Sequence, residues 1–294
     1  MKHVLFVYNP VAGVGRVRKN LYEIIEFYDD NDCVVTLCPI RKLGDYFDIL
    51  GLYEKRYDVI VCSGGDGTLN LMLSFFMQKG IKEAVAYVPS GSTNDYAYSL
   101  GISDDFKEAL KSTLHGQIKN IDIGRFKDKY FLYVAAFGIF TKVAYSTPQK
   151  TKNLLGHTAY ILEGIKQISD LKSYHLTIKA ENKAVNGRFI LGLVTNTLSV
   201  GGFKNIMPND VALDDGKFEA IFITEPSNLL ELHGIVSSLL GEKLDDNPQI
   251  VYCKTEKIEI VAEEDIDWTL DGEYGGRYKE IEIVNLKQEL SIIV

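Results

Sequence analysis

Cysteine is scarce in this 294-residue chain, and what there is stands unpaired. Cys33, Cys38, Cys62 and Cys253 form no C-x-x-C pair and lie in apolar runs. That spacing excludes a disulfide scaffold and a cysteine-bound zinc, and points to buried thiols in a reducing compartment. Long apolar stretches are lacking too: the longest, residues 130–140, is too short to span a bilayer. No charged start followed by an apolar segment opens the chain, so secretion is not expected and a soluble, cytoplasmic protein is. An overall basic charge is also missing. The 32 Lys and Arg against 40 Asp and Glu leave a net charge of −8, which argues against nucleic acid as a partner. Basic charge gathers only between Lys142 and Arg188, with eight basic against three acidic residues. Such a face suits peripheral association with an anionic membrane surface, although an ordinary solvated face is the plainer reading.

An apolar content of 46% is enough for two cores. The first third alternates strand and helix. Strands are expected at 3–8, 34–37, 57–62 and 84–88, and helices at 17–28, 43–53, 69–78 and 103–115. Alternation of this kind implies a doubly wound parallel sheet. Beyond residue 120 the pattern becomes strand after strand. A hairpin (121–126 and 130–136) is followed by runs at 176–180, 188–196, 217–223, 257–262, 267–270 and 281–285. Helices at 154–170 and 229–240 interrupt them, and the whole reads as an antiparallel, β-rich second domain. An apolar strand at 290–294 belongs to either domain by pattern alone.

The most informative residues are Ser63-Gly64-Gly65-Asp66-Gly67-Thr68-Leu69-Asn70, between a buried strand and a helix. Glycines there let backbone amides close on an anion, and the helix start adds positive potential. An aspartate inside an anion cradle repels phosphate unless a cation mediates, so the motif suggests metal-assisted handling of a nucleotide phosphate. A tight turn with Thr68 as helix cap is the plainer alternative. Two further loops follow strands of the same sheet: Asn9-Pro10-Val11-Ala12-Gly13-Val14-Gly15 and Ser90-Gly91-Ser92-Thr93-Asn94-Asp95. The first is neither a Rossmann fingerprint nor a P-loop. In the second, Asn94 and Asp95 are helix caps or ligands. Loops that converge at one edge of an open α/β sheet favour a single site over three unrelated turns. Further along, Asp122 interrupts an apolar alternation and needs a partner or a metal. Asp214-Asp215-Gly216 and Asp271-Gly272-Glu273 read as hairpin turns or as acids for metal–phosphate chemistry.

Taken in order, Asn9-Pro10 to Gly13, Gly64 to Asn70, Pro89 to Ala97, Asp122 to Gly124, Leu213 to Gly216 and Asp271 to Glu273 resemble the diacylglycerol kinase catalytic-domain family, most of all its soluble bacterial lipid kinases. The likeness spans nearly the whole chain. It implies an N-terminal α/β nucleotide domain (1–122, with 287–294 returning to it), a C-terminal β-sandwich (123–286), and an active site in the cleft between them. By this resemblance Asn9, Pro10, Gly13, Gly64, Gly65, Asp66, Gly67, Thr68, Leu69, Asn70, Ser92 and Asn94 contact ATP. Glu273 is the base, acting with Asp66 and Asp271. Asp66, Asp95, Asp122 and Asp271 form the network around a catalytic Mg²⁺. Asp215, with the Ala212 and Lys217 carbonyls, holds a structural Mg²⁺. The resemblance also implies a lipid hydroxyl as acceptor. The helix at 154–170, with Lys150 and Lys152 before it, is a candidate for docking on anionic lipid, and an edge strand of the second domain offers a route to a homodimer.

The chain departs from the family pattern at Ala12, Val14, Ile40, Leu71 and Tyr98, which removes hydroxyls and a charge from around the phosphates. Two rival readings follow: an NAD kinase, which also uses a Gly-Gly-Asp-Gly loop, and a catalytically weak nucleotide or lipid sensor.

Overall fold

A computed structural model of the chain describes residues 1–40, 57–139, 171–181, 183–200, 203–204, 211–240, 244 and 246–294. The helices expected at 43–53 and 154–170, with Lys150 and Lys152, lie outside the described residues. The chain divides into two compact units, Met1–Ile121 with Gln288–Val294, and Asp122–Lys287.

In the first unit, β1 (Lys2–Tyr8) leads through a 3-10 turn to helices α1 (Arg16–Lys19) and α2 (Leu21–Asp30). Then come β2 (Cys33–Pro39), β3 (Val59–Gly64), α3 (Asp66–Lys79), β4 (Val85–Pro89), α4 (Asp95–Leu100) and α5 (Phe106–His115). β1 pairs in parallel with both β2 and β3, and β3 with β4. Residues Val4–Val7 and Ile60–Cys62 are almost wholly buried. Apolar runs of β-branched residues, buried on both faces, are what a covered parallel sheet requires. The order β2-β1-β3-β4 reverses direction between β1 and β3. Open α/β sheets bind their ligands beyond the carboxyl ends of the strands at such a reversal. The expected helix over 17–28 is two helices, because Asn20 leaves helical geometry and its side chain bonds the Arg16 carbonyl at 3.0 Å.

The second unit is antiparallel. It comprises the part of β5 (Ile118–Phe126) beyond Ile121, then β6 (Lys129–Phe131), β7 (Val134–Gly138), β8 (Tyr174–Ala180), β9 (Lys183–Thr195), a small ladder of β10 (Ser199–Val200) and β11 (Phe203–Lys204), and β12 (Phe218–Thr224). Helix α6 (Leu229–Leu240), β13 (Ile250–Thr255), β14 (Lys257–Leu270) and β15 (Glu273–Ile293) complete the chain. Pairing runs β13-β12-β9-β7-β14-β15, with β8 joining β9 and β14. Inward-facing Phe126, Phe131, Phe137, Phe189, Phe218, Phe222 and Trp268 fill its core. Phe137 meets Trp268 edge-on at 5.0 Å, and each such ring removes on the order of 200 Å² from water.

Three expectations change. The runs 257–262 and 267–270 are one strand with a register shift between Val261 and Ile266. The runs 281–285 and 290–294 are also one strand, whose end returns to the first unit and pairs Ile292–Ile293 with Val85–Ala86. The run 130–136 splits at Leu132–Tyr133, for a reason that lies in Asp271. No helix among the described residues is long and apolar enough to cross a membrane.

Candidate active site

Three loops of the first unit interlock. The Asn9 amide donates to the Ser63 carbonyl at 2.9 Å, and Ser90 and Gly91 donate to the Gly64 carbonyl at 2.8 and 3.1 Å. Tyr87 adds its hydroxyl to the same Gly64 oxygen at 3.1 Å. Asn9 bonds Thr68 Oγ1 through Nδ2 at 3.3 Å, while its Oδ1 accepts the Val11 amide at 3.0 Å. The glycines permit this closeness. A Cβ on Gly13, whose φ is +52°, would fall 2.1 Å from the Ser90 carbonyl oxygen, and one on Gly91 would fall 2.5 Å from the Gly65 Cα. Side chains at these points would force the loops apart.

Helix α3 begins at Asp66, three residues earlier than expected, with Gly65 as N-cap and no side-chain cap. Thr68 is therefore not a cap. It sits inside the helix and bonds Asn9. Asn94 is not a side-chain cap either: it adopts φ +54°, and its Oδ1 accepts the Gly91 amide at 2.9 Å, closing that loop. The first amides of α4 are capped instead by Asp66, whose Oδ2 accepts from Asp95 at 2.9 Å and whose Oδ1 accepts from Tyr96 at 3.2 Å. Asp66 and Asp95 are both buried. Burial, reinforced by the Asp95 charge and opposed by those two amide bonds, pushes the Asp66 carboxyl up to about 6. A buried acid beside a second acid, facing helix amides, is a place where a hard divalent cation lowers the energy of both. Asn70 is tied within its own helix, accepting the Ser74 hydroxyl at 2.9 Å, and Ser92 is exposed on the loop. Ile40 is buried, whereas Leu71 and Tyr98 are exposed.

The acids of the second unit are placed differently. Asp271 and Gly272 both have positive φ, +49° and +86°, as a two-residue hairpin turn between β14 and β15 requires. The Asp271 carboxylate accepts the amides of Leu132, Tyr133 and Val134 at 2.6, 3.0 and 2.9 Å. Those amides have turned from a ladder toward a carboxylate, which is why the chain breaks between β6 and β7. Glu273, the first residue of β15, is exposed. Asp122 is wholly buried, and its partner is the Gly216 amide at 2.7 Å. In the turn it holds, Asp215 accepts the Lys217 amide through Oδ1 at 2.9 Å and meets the Lys254 ammonium through Oδ2 at 2.9 Å.

Of the expected network of Asp66, Asp95, Asp122 and Asp271, the first two acids belong to the first unit and the last two to the second. Within neither unit do three or more Asp, Glu, His or Cys side chains among the described residues gather as a metal site. Asp66 and Asp95 form a pair, while Asp122 and Asp271 are bound to backbone amides. Two polar residues stand outside the motifs of the sequence: Glu219 and its neighbour across the ladder, Lys254. A glutamate in the apolar run Phe218-Glu219-Ala220-Ile221 was the available clue.

Comparison with known proteins adds the following. A family model described as "Diacylglycerol kinase catalytic domain" matches residues 3–126. A second, "YegS C-terminal NAD kinase beta sandwich-like domain", matches 134–286. A diacylglycerol kinase of Staphylococcus saprophyticus is 30% identical over 99% of this chain and 95% of its own length. One of Bacillus subtilis strain 168 is 31% identical over 100% and 97%. Among solved structures, a diacylglycerol kinase from Bacillus anthracis str. Sterne has a TM-score of 0.75 at 21% identity, covering 99% of this chain and 96% of that one. A second solved structure from the same organism reaches 0.82 at 24% identity, covering 99% and 95%.

Proposed function

The chain belongs to the diacylglycerol kinase family, and we propose that it transfers the terminal phosphoryl group of ATP to a hydroxyl of diacylglycerol or a related lipid. One observation carries the reading: an interlocked glycine-loop cradle, opening onto an uncapped helix start, lies beside the buried Asp66–Asp95 pair. Loops 9–13, 64–70 and 90–94 hold the phosphates through backbone amides. Asp66 and Asp95 are the residues that would hold Mg²⁺, and the ion would supply positive charge against the phosphate oxygens. Asp271 sets the hairpin that presents Glu273. Glu273 takes the proton as the lipid oxygen forms its bond to the γ-phosphorus, and the bond from that phosphorus to the bridging oxygen breaks to release ADP. The lipid is met at a membrane surface.

The names of the relatives support diacylglycerol as the acceptor class. The second family model's description also mentions NAD kinase, so NAD belongs in any acceptor panel. The test is transfer of labelled phosphate from ATP·Mg²⁺ to a panel of lipids and NAD. A labelled phospholipid is expected, and Glu273→Gln should lower its formation by about 10²–10⁴-fold. Labelled NADP with no lipid product would overturn the acceptor assignment, and wild-type turnover by Glu273→Gln would overturn the base.

A further inference from the structure

Glu219 lies on β12 directly opposite Lys254 on β13 in the antiparallel ladder. Its side chain is 0% exposed, and its Oε2 has no hydrogen-bond partner. The charge that faces it is the Lys254 ammonium, 3.1 Å from Oε1. The same ammonium stands 2.9 Å from Asp215 Oδ2. Burial alone would lower the Lys254 pKa, and the two carboxylates outweigh it and raise it. A single cation therefore sits between two carboxylates of one turn and one strand.

Asp215 is the residue that the family resemblance assigns to a structural Mg²⁺. Its oxygens do not suit that role here. Oδ1 accepts the Lys217 amide, and Oδ2 is given to Lys254. We infer that the Lys254 ammonium is the built-in cation of the turn around Asp215, standing where a divalent metal would otherwise bridge Asp215 and Glu219. A tethered ammonium neutralises one of the two charges permanently, with no metal to lose. Without it, two carboxylates and the carbonyls of the turn leave an oxygen-only site of the kind hard cations bind. The inference does not depend on the kinase reading.

Thermal unfolding in EDTA and in millimolar Mg²⁺ or Ca²⁺ tests it, using the whole chain as wild type, Asp215→Asn, Lys254→Met and the double variant. Metal held by Asp66 and Asp95 shifts all four alike, so the quantity that decides is the part of the shift that Asp215→Asn abolishes. The wild type should show no such part. Lys254→Met should unfold several degrees lower in EDTA and recover with metal, and the double variant should not recover. An Asp215-dependent metal shift in the wild type overturns the inference, as does a folded Lys254→Met protein that gains none. Should Lys254→Met fail to fold, the wild type against Asp215→Asn still decides.

Discussion

In the first unit Asp66 is buried next to another acid, and burial and that charge outweigh the amides of Tyr96, Asp95 and Asp66 itself, so its carboxyl is pushed up. In the second, Asp271 is buried inside a ring of three backbone amides, and Asp215 is matched by a lysine. The residue type is the same and the physics is opposite. A carboxylate surrounded by fixed donors is finished: its charge is used to hold the backbone. Burial of Asp66, with the Asp95 charge beside it, costs its ionised form on the order of 3 kcal/mol for a rise from the ordinary value to about 6. Such a cost persists where a ligand offsets it. Among acids of one motif set, the surrounding donors separate those that build the fold from those suited to chemistry.

Asp271→Ala offers the hardest break of this contrast. It strips the carboxylate from the amides of Leu132, Tyr133 and Val134, all buried, and should destabilise the second unit by roughly 3 kcal/mol or more in denaturant titration. A loss within error would mean that Asp271 is free for other work. Gly13→Ala sharpens the other side. With φ at +52° and the Ser90 oxygen 2.1 Å from the new Cβ, the loops must separate, at a cost of about 2 kcal/mol and weaker nucleotide binding. Calorimetry with ATP·Mg²⁺ that finds unchanged affinity would show that the interlock is incidental.

The smallest effect belongs to Asp105, an exposed N-cap that accepts the Lys107 and Glu108 amides at 3.0 Å. The Glu108 amide, then those of Lys107 and the nearby cations, hold its carboxyl below the usual range. A depressed carboxyl contributes stability that is present above its unfolded value and lost as pH falls through its folded value. Asp105→Ala should therefore lower the melting midpoint slightly at neutral pH, with the difference closing in acid. A difference that grows in acid would contradict the cap.

Much of this was legible beforehand. Buried runs such as Val59 to Cys62 mark parallel strands, and the Asp271-Gly272 pair marks a hairpin. The glycines of three loops mark their close approach. Other features were not. Lys254 meets Glu219 across a ladder whose second strand, Ile250–Thr255, has no alternating pattern to announce it. β15 looks like two strands in the sequence because Lys287-Gln288-Glu289 interrupts its apolar alternation, with Gln288 at φ +53°. A sequence names the carboxylates but not the backbone amides that they accept, such as those of Leu132, Tyr133 and Val134 on Asp271. Asp122 shows this plainly: its need for a partner was evident, but Gly216 as that partner was not.

We propose that Asp66, besides capping α4, serves a cation. The direct measurement is Mg²⁺-dependent phosphate transfer from ATP to diacylglycerol by Asp66→Asn, alongside its melting midpoint in metal-free buffer. The account predicts a loss of about 10³-fold or more in transfer, at any Mg²⁺ concentration, with a midpoint equal to or above that of the wild type. Wild-type transfer, or a protein that unfolds when Asp66 is replaced, would contradict it.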